Sequence, residues 1–268
     1  MKKVLKWIGI IFVVLIVIGI IADNDDEKPT EKVSVSSGES KSNKSISLSQ
    51  KEAEFINVAI EDDANIAFEG GDSMFKPDII FVTASELQND YSANEARGDK
   101  TYKDKNLIIT GMVSSIDSSI GDIPVVTLKT NDMFNRVHVR FKKQYRDAAI
   151  DLNKNQKVAF FCKGDGVIIG SPTVSDCIPI DVAKGDFINQ QKQYVNKAIG
   201  GDKNVPNDIK TIIMFAKVAG EKTNDFANCS KIDKKCVNSV GPLMQKVLKS
   251  KEETPIMKEL KEKLSISN

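Results

Sequence analysis

The strongest constraint on this chain lies at its N-terminus, where an unbroken apolar run from Trp7 to Ala22 sits between lysines and carboxylates. Lys2, Lys3 and Lys6 precede the run, and Asp23, Asp25, Asp26 and Glu27 follow it. Lysines flanking a span stay in the cytoplasm, so the segment directs everything beyond it outward. A buried core helix does not fit beside three lysines and an acidic exit. A spanning helix needs about 20 apolar residues and a signal-peptide core about 7–15. The run falls between the two, although Lys6 is long enough to snorkel and let Val4 and Leu5 join it. Two outcomes stay open: an uncleaved anchor over residues 4–22, or secretion to the periplasm after cleavage near Ala22. Ile20 matches an A-x-A site poorly, which favours the anchor. No cysteine directly follows the run, so a lipoprotein anchor is excluded.

The four cysteines, Cys162, Cys177, Cys229 and Cys236, all lie beyond this segment. An even number in an oxidising compartment implies two disulfides. Three pairings are possible, and sequence order favours the two local ones. Zinc is a poor fit, because His138 is the sole histidine and no C-x-x-C knuckle is present. A net charge of +1 gives the whole chain no polyanion-binding character.

From residue 23 to 49 the chain is acidic, then rich in Ser, Lys and Glu, and too poor in apolar residues to offset its ordering entropy. It reads as a flexible tether. Ser49 and Glu52 form a capping-box signature that opens a helix with Phe55, Ile56, Ala59 and Ile60 on one face. Residues 50–82 thus give a helix and an irregular lead-in, with Gly70, Gly71 and Pro77 breaking regular structure. Thr83 caps a helix expected to reach about Ala96. Short strand patterns follow at Asn106–Ser115, Pro124–Leu128 after a turn at Gly121-Asp122, and Arg136–Phe141. Helical residues Gln144–Leu152 interrupt them, and two more strands, Lys157–Cys162 and Gly166–Ile180, flank Gly164-Asp165-Gly166. Five strands with a helix between the third and fourth is the order of an OB-fold barrel, here over residues 83–180. The fold class is therefore α+β: an N-terminal membrane helix or signal peptide over residues 1–22, a five-stranded barrel, and a helical region over 181–268. In that last region Phe187, Ile188, Tyr194, Val195, Ala198 and Ile199 share one helix face. Ile209, Ile212, Ile213 and Ala216 share another, stopped by Gly220, and Thr254-Pro255 opens a final helix.

The residues Thr83-Ala84-Ser85-Glu86-Leu87, Tyr91, Asn94-Glu95, Asp99, Tyr102-Lys103 and Lys105 resemble the exported OB-fold proteins of the tRNA-anti-like family. So do the Leu107-x-Ile109-x-Gly111-x-Val113 strand, Cys162 and Asp176-Cys177. The resemblance covers roughly residues 80–180 and contains no catalytic residue. It implies an OB barrel of the kind that binds oligonucleotides, oligosaccharides or peptides.

The sharpest candidate site is the outward face of the third strand, where Arg136, His138 and Arg140 alternate with the inward Val137, Val139 and Phe141. Lys142, Lys143 and Arg146 lie just beyond. Guanidinium forks suit carboxylate or phosphate; alternation alone also makes a solvated face. Single-strand binding usually adds aromatic platforms, and only Phe134 and Tyr145 stand nearby. His138 has no G-x-S-x-G, HExxH or paired metal motif to work with. The reading is a non-enzymatic binding module with no cofactor, on the outer face of the cytoplasmic membrane, meeting an envelope protein or an anionic ligand. Nucleic acid enters only as DNA crossing the envelope, which is the alternative of a phage- or mobile-element-encoded superinfection exclusion factor.

Overall fold

The structure, a computed structural model, describes residues 45–118, 123–250 and 253–266. The segment expected to be a membrane helix or signal peptide, the stretch expected to be a tether up to residue 44 and the turn expected at Gly121-Asp122 lie outside the described residues. Among the described residues no helix is long and apolar enough to cross a membrane. The chain divides into two compact units, one of residues 76–187 and one that joins the residues before 76 to those from 188 onward.

The first unit is a β-barrel with helices. Strand β1 (Ile80–Thr83) runs into helix α2 (Ala84–Ala93), with α1 (Gln50–Phe68) belonging to the other unit. Helix α3 (Glu95–Tyr102) precedes strands β2 (Asn106–Asp117), β3 (Val125–Leu128) and β4 (Val137–Phe141). A 3-10 turn at Lys143–Tyr145 and helix α4 (Arg146–Ile150) follow, then β5 (Lys157–Ile168) and β6 (Ser171–Pro179). The pairing order β2-β3-β4-β6-β5 returns to β2 through a β2–β5 ladder, so five strands close on themselves. Strands β4 and β6 pair in parallel and the other barrel pairs are antiparallel. Closure removes the edges that an open sheet of these short strands would leave. Inward residues fill the interior: Leu107, Ile109, Val113, Val126, Leu128, Val137, Val139, Phe141 and Val174 are all buried.

Three expectations change here. The helix expected over 83–96 is two helices, because the Asn94 backbone is extended and its side chain accepts from Arg97 N, starting α3 afresh. Gly164-Asp165-Gly166 is a bulge inside β5 and not a hairpin turn; the register shifts between Gly164 and Val167 while the strand continues to Ile168. The turn instead falls at Ile169-Gly170, both with positive φ. Strand β1, unforeseen in the irregular lead-in, adds to β2 in parallel with Ile80 opposite Leu107.

The second unit is helical: α1 with α6 (Asn207–Lys222), α7 (Lys234–Ser250) and α8 (Pro255–Leu264). The division falls within α5 (Ile180–Ile199). The capping box at Ser49 and Glu52 forms as expected, with Ser49 N donating to Glu52 at 2.8 Å. The apolar face of α1 is buried, and Phe55 stacks on Phe226 at 5.2 Å and Phe215 at 5.8 Å. Helix α6 runs past Gly220 to Lys222, and α7 falls within the region expected to be helical, at residues where the sequence pattern marks no individual helix. Cys229 and Cys236 are bonded.

Asp63 makes this unit pH-sensitive. Its carboxylate accepts from Met74 N at 2.7 Å and Phe75 N at 2.9 Å. Burial, with Asp208 and Asp62 adding like charge, pushes it from 3.8 up to about 6 against those two bonds. A folded-state value above the unfolded one favours the protonated form in the fold. The stabilisation is therefore complete below about pH 4 and is lost as pH rises through about 6. Denaturant melts of the full chain should show this decline, and Asp63→Asn should flatten it. An unchanged profile in the variant would place the titration elsewhere.

Candidate functional site

Strand β4 presents its alternation as expected: Val137, Val139 and Phe141 point into the core, His138 is half-buried on the outside and Arg140 is exposed. The registers set His138 beside Thr127 of β3 and Thr173 of β6, with Ser115 of β2 opposite Thr127. A polar row therefore crosses four strands. Next to it, Arg140 lies opposite Val125, and Val125 opposite Asp117. His138 Nδ1 is 3.4 Å from Thr127 Oγ1, and Thr173 Oγ1 donates to Gly166 O at 3.3 Å. Burial holds the imidazole below its ordinary value, the Arg140 charge lowers it further, and Asp117 opposes both. His138 is thus a neutral hydrogen-bonding group at neutral pH, and Arg140 carries the positive charge of the face. Arg140 has no hydrogen bond or ion pair among the described residues, whereas the Asp117 carboxylate already accepts from Ser115 Oγ at 2.6 Å.

Arg136 does not join this pair. It precedes β4, and its guanidinium turns back to donate to the carbonyls of Asp132 and Asn135. There it braces the β3–β4 loop, a role the alternation pattern gave no sign of. Lys142 and Lys143 are exposed past the strand end, and Arg146 leans toward Asp147 at 3.8 Å. Among the described residues no group of His, Cys, Asp and Glu is placed to hold a metal.

The residues that carry the family resemblance lie elsewhere and bind one part of the barrel unit to another. Thr83 and Glu86 close a capping box on α2. Tyr91 donates to Asp99 at 3.2 Å, Tyr102 donates to Asp90, and the two rings pack 6.1 Å apart. Burial and these carboxylates push both phenols up, Tyr102 to about 12, so both stay neutral donors. Gly98 leaves room for the Tyr91 ring, and Gly111 lies under Ala84 and Leu128. Cys162 and Cys177 form a disulfide joining β5 to β6, so the cysteines pair in the two local bridges that sequence order favours. The signature fixes the helix pair to the barrel.

A closed five-stranded barrel with this helix pair is an OB-like domain, the architecture of a binding module. The chain belongs to the tRNA_anti-like family, whose family model matches residues 1–178. No curated protein matches the chain. Among solved structures, a protein from Klebsiella pneumoniae subsp. pneumoniae described as a "putative nucleic acid-binding lipoprotein" is similar over 37% of this chain and 90% of its own. Its identity is 18% and its TM-score 0.32, a likeness that carries no argument about ligand.

Proposed function

We propose that this protein is a non-catalytic binding module held at the outer face of the cytoplasmic membrane, taking an anionic partner on the outer face of β3 and β4. The observation that supports this most is Arg140: exposed, unpaired among the described residues, and flanked by a neutral His138 that can donate or accept a hydrogen bond. A guanidinium fork beside a neutral imidazole suits a carboxylate or a phosphate. The residues proposed for the ligand are Arg140 and His138, with Arg136 holding the adjoining loop. Placement at the membrane rests on the apolar run at residues 4–22, and the two disulfides accord with an oxidising compartment.

Titration of the full chain in detergent with tripolyphosphate and with a glutamate-rich peptide tests the face. Arg140→Ala should weaken binding about tenfold, the loss of one charge-assisted contact worth roughly 1.5 kcal/mol. It should leave the fold within about 0.5 kcal/mol, as for other exposed positions. Because the His138 value is lowered, affinity should stay level between about pH 7 and 8 and rise only under more acidic conditions, as a second cation forms. Equal affinity in the parent and the Arg140→Ala variant would remove the site. A phosphatase fused after residue 50 should be active, and activity of a cytoplasmic reporter there would remove the placement.

The second reading is an exclusion factor that stops DNA from crossing the envelope. The same cation favours it, since a phosphodiester is the same kind of anion. Salt-dependent binding of oligo(dT), lost in Arg140→Ala together with protection in a phage or conjugation challenge, would select it over a protein partner.

A further inference from the structure

At one end of the barrel two loops place four apolar side chains in water. Met133 and Phe134, in the β3–β4 loop, are 79% and 87% exposed. Ile168 and Ile169, at the β5–β6 turn, are 49% and 97% exposed. The loops are neighbours, because a Cβ on Gly170 would lie 3.3 Å from Asn135 Oδ1, and Arg136 N reaches Ser171 Oγ at 3.5 Å. Neither loop is loose: at the β5–β6 turn Gln88 Nε2 donates to Gly170 O at 3.1 Å. Asp132 Oδ1 accepts from Phe134 N and Asn135 N, both at 2.7 Å, Thr130 Oγ1 donates to Asn135 O at 2.6 Å, and Arg136 closes the loop from below. Arg136 also faces the Asp132 charge and offsets it.

Ile169 is the informative residue. Its φ is 47°, in the left-handed region that a β-branched side chain enters only at a cost. The next residue, Gly170, has φ 75°, so the turn has the positive-φ pair for which Asn-Gly is the usual choice. Isoleucine here is opposed by the backbone and also by solvent, with no core contact to offset either. A residue that costs the fold twice points to a use outside the fold.

We infer that this braced tip inserts into the interfacial layer of a lipid bilayer, which rests on the membrane placement proposed above. The tip is convex and built of protruding side chains, the shape that enters a fluid apolar phase rather than one that receives a partner. Four side chains on such a tip fall short of the roughly 800 Å² per partner of a standard protein interface. One aromatic, Phe134, makes no row of stacking platforms. The 22 residues from 23 to 44 have a fully extended length of up to about 75 Å, which does not by itself keep the chain beyond them away from the bilayer.

Trp7 is the sole tryptophan, which gives the test its internal control. The full chain is reconstituted in vesicles of phosphatidylethanolamine and phosphatidylglycerol, with and without brominated acyl chains. Fluorescence is compared for the parent, for Trp7→Phe with Phe134→Trp, and for Trp7→Phe with Gln144→Trp at the exposed turn beyond the other end of β4. Bromine should quench the Phe134→Trp protein about twofold and leave the Gln144→Trp protein unchanged, since interfacial burial brings acyl chains to the tip alone. Equal quenching at the two positions overturns the inference. So does a blue shift at the tip that grows with protein density without bromine quenching, which marks a second copy, or a signal that responds only to oligo(dT). Quenching of Trp7 without quenching at the tip overturns the tip alone, and quenching at the tip without Trp7 overturns the anchor alone. Ile169→Asn should raise the melting temperature and reduce binding of externally added vesicles; a lowered melting temperature would show that Ile169 serves the fold and overturn the argument.

Discussion

The double variant Cys162→Ala with Cys177→Ala is expected to lose about 3 kcal/mol of stability, the value for opening a loop of 15 residues in the chain-entropy description. In a unit of this size that corresponds to a melting temperature lower by about 10–20 °C. The bridge stands beside a break in the β5–β6 ladder. Register shifts between Phe161 and Lys163, and Asp176 sits at φ 52°, so backbone bonding is interrupted on both strands beside it. Both cysteines are buried with the barrel core, and Lys142 N donates to Cys177 O, tying the end of β4 to the same point. Reductant opens both bridges, so it should cost the parent chain more than the double substitution does and should cost the double variant only the contribution of Cys229–Cys236. The Cys229–Cys236 bridge closes only 7 residues and should contribute less, about 2 kcal/mol. Four free thiols in a non-reduced digest, or a variant that melts like its parent, would contradict this account.

What could be read in the sequence and what could not divides by distance along the chain. Helix caps are local, and Ser49, Thr83 and Thr254 all act as their spacing suggests. The inward and outward faces of β4 follow from a period of two and need no partner strand. Whether Gly164-Asp165-Gly166 turns or bulges depends on which residues of β6 lie opposite, and no local pattern contains that. Strand β1 has only four residues and takes its register from β2. Helix α7 carries Gly241 and Pro242 inside it, a pair that ordinarily marks a break. Its buried Cys236, Val237, Val240 and Met244 hold one face together and carry the helix through. At the candidate site the pairing of His138 with Arg140 was legible, while the diversion of Arg136 was not, because the carbonyls it meets exist only once the loop has folded. Ile169-Gly170 did carry a signal: an isoleucine stands where a two-residue hairpin turn ordinarily wants asparagine.

Gly164→Ala should be more damaging than loss of the disulfide, at about 4 kcal/mol, although it adds a single methyl group. A Cβ there would stand 2.0 Å from the Tyr102 carbonyl oxygen and 2.8 Å from its carbon. Both are backbone atoms, so no side-chain rotation relieves the overlap. The chain leaving α3 is fastened at this point: Asp104 N donates to Gly164 O and Gly164 N donates to Lys105 O, each at 2.9 Å. Separating the two segments enough to admit the methyl group breaks both bonds, at about 1 kcal/mol each, and adds roughly 2 kcal/mol of overpacking. The damage extends to Tyr102 and Tyr91, whose bonds to Asp90 and Asp99 hold the helix pair, so the family signature should fail as a unit. Gly185→Ala, in α5 with nothing within 4 Å of its Cβ position, is the contrast. It should stabilise the protein by about 0.5–1 kcal/mol through helix propensity alone. Denaturant melts of both variants decide the matter. Equal midpoints would mean that α3 and β5 do not meet as closely as the Tyr102–Gly164 contact requires.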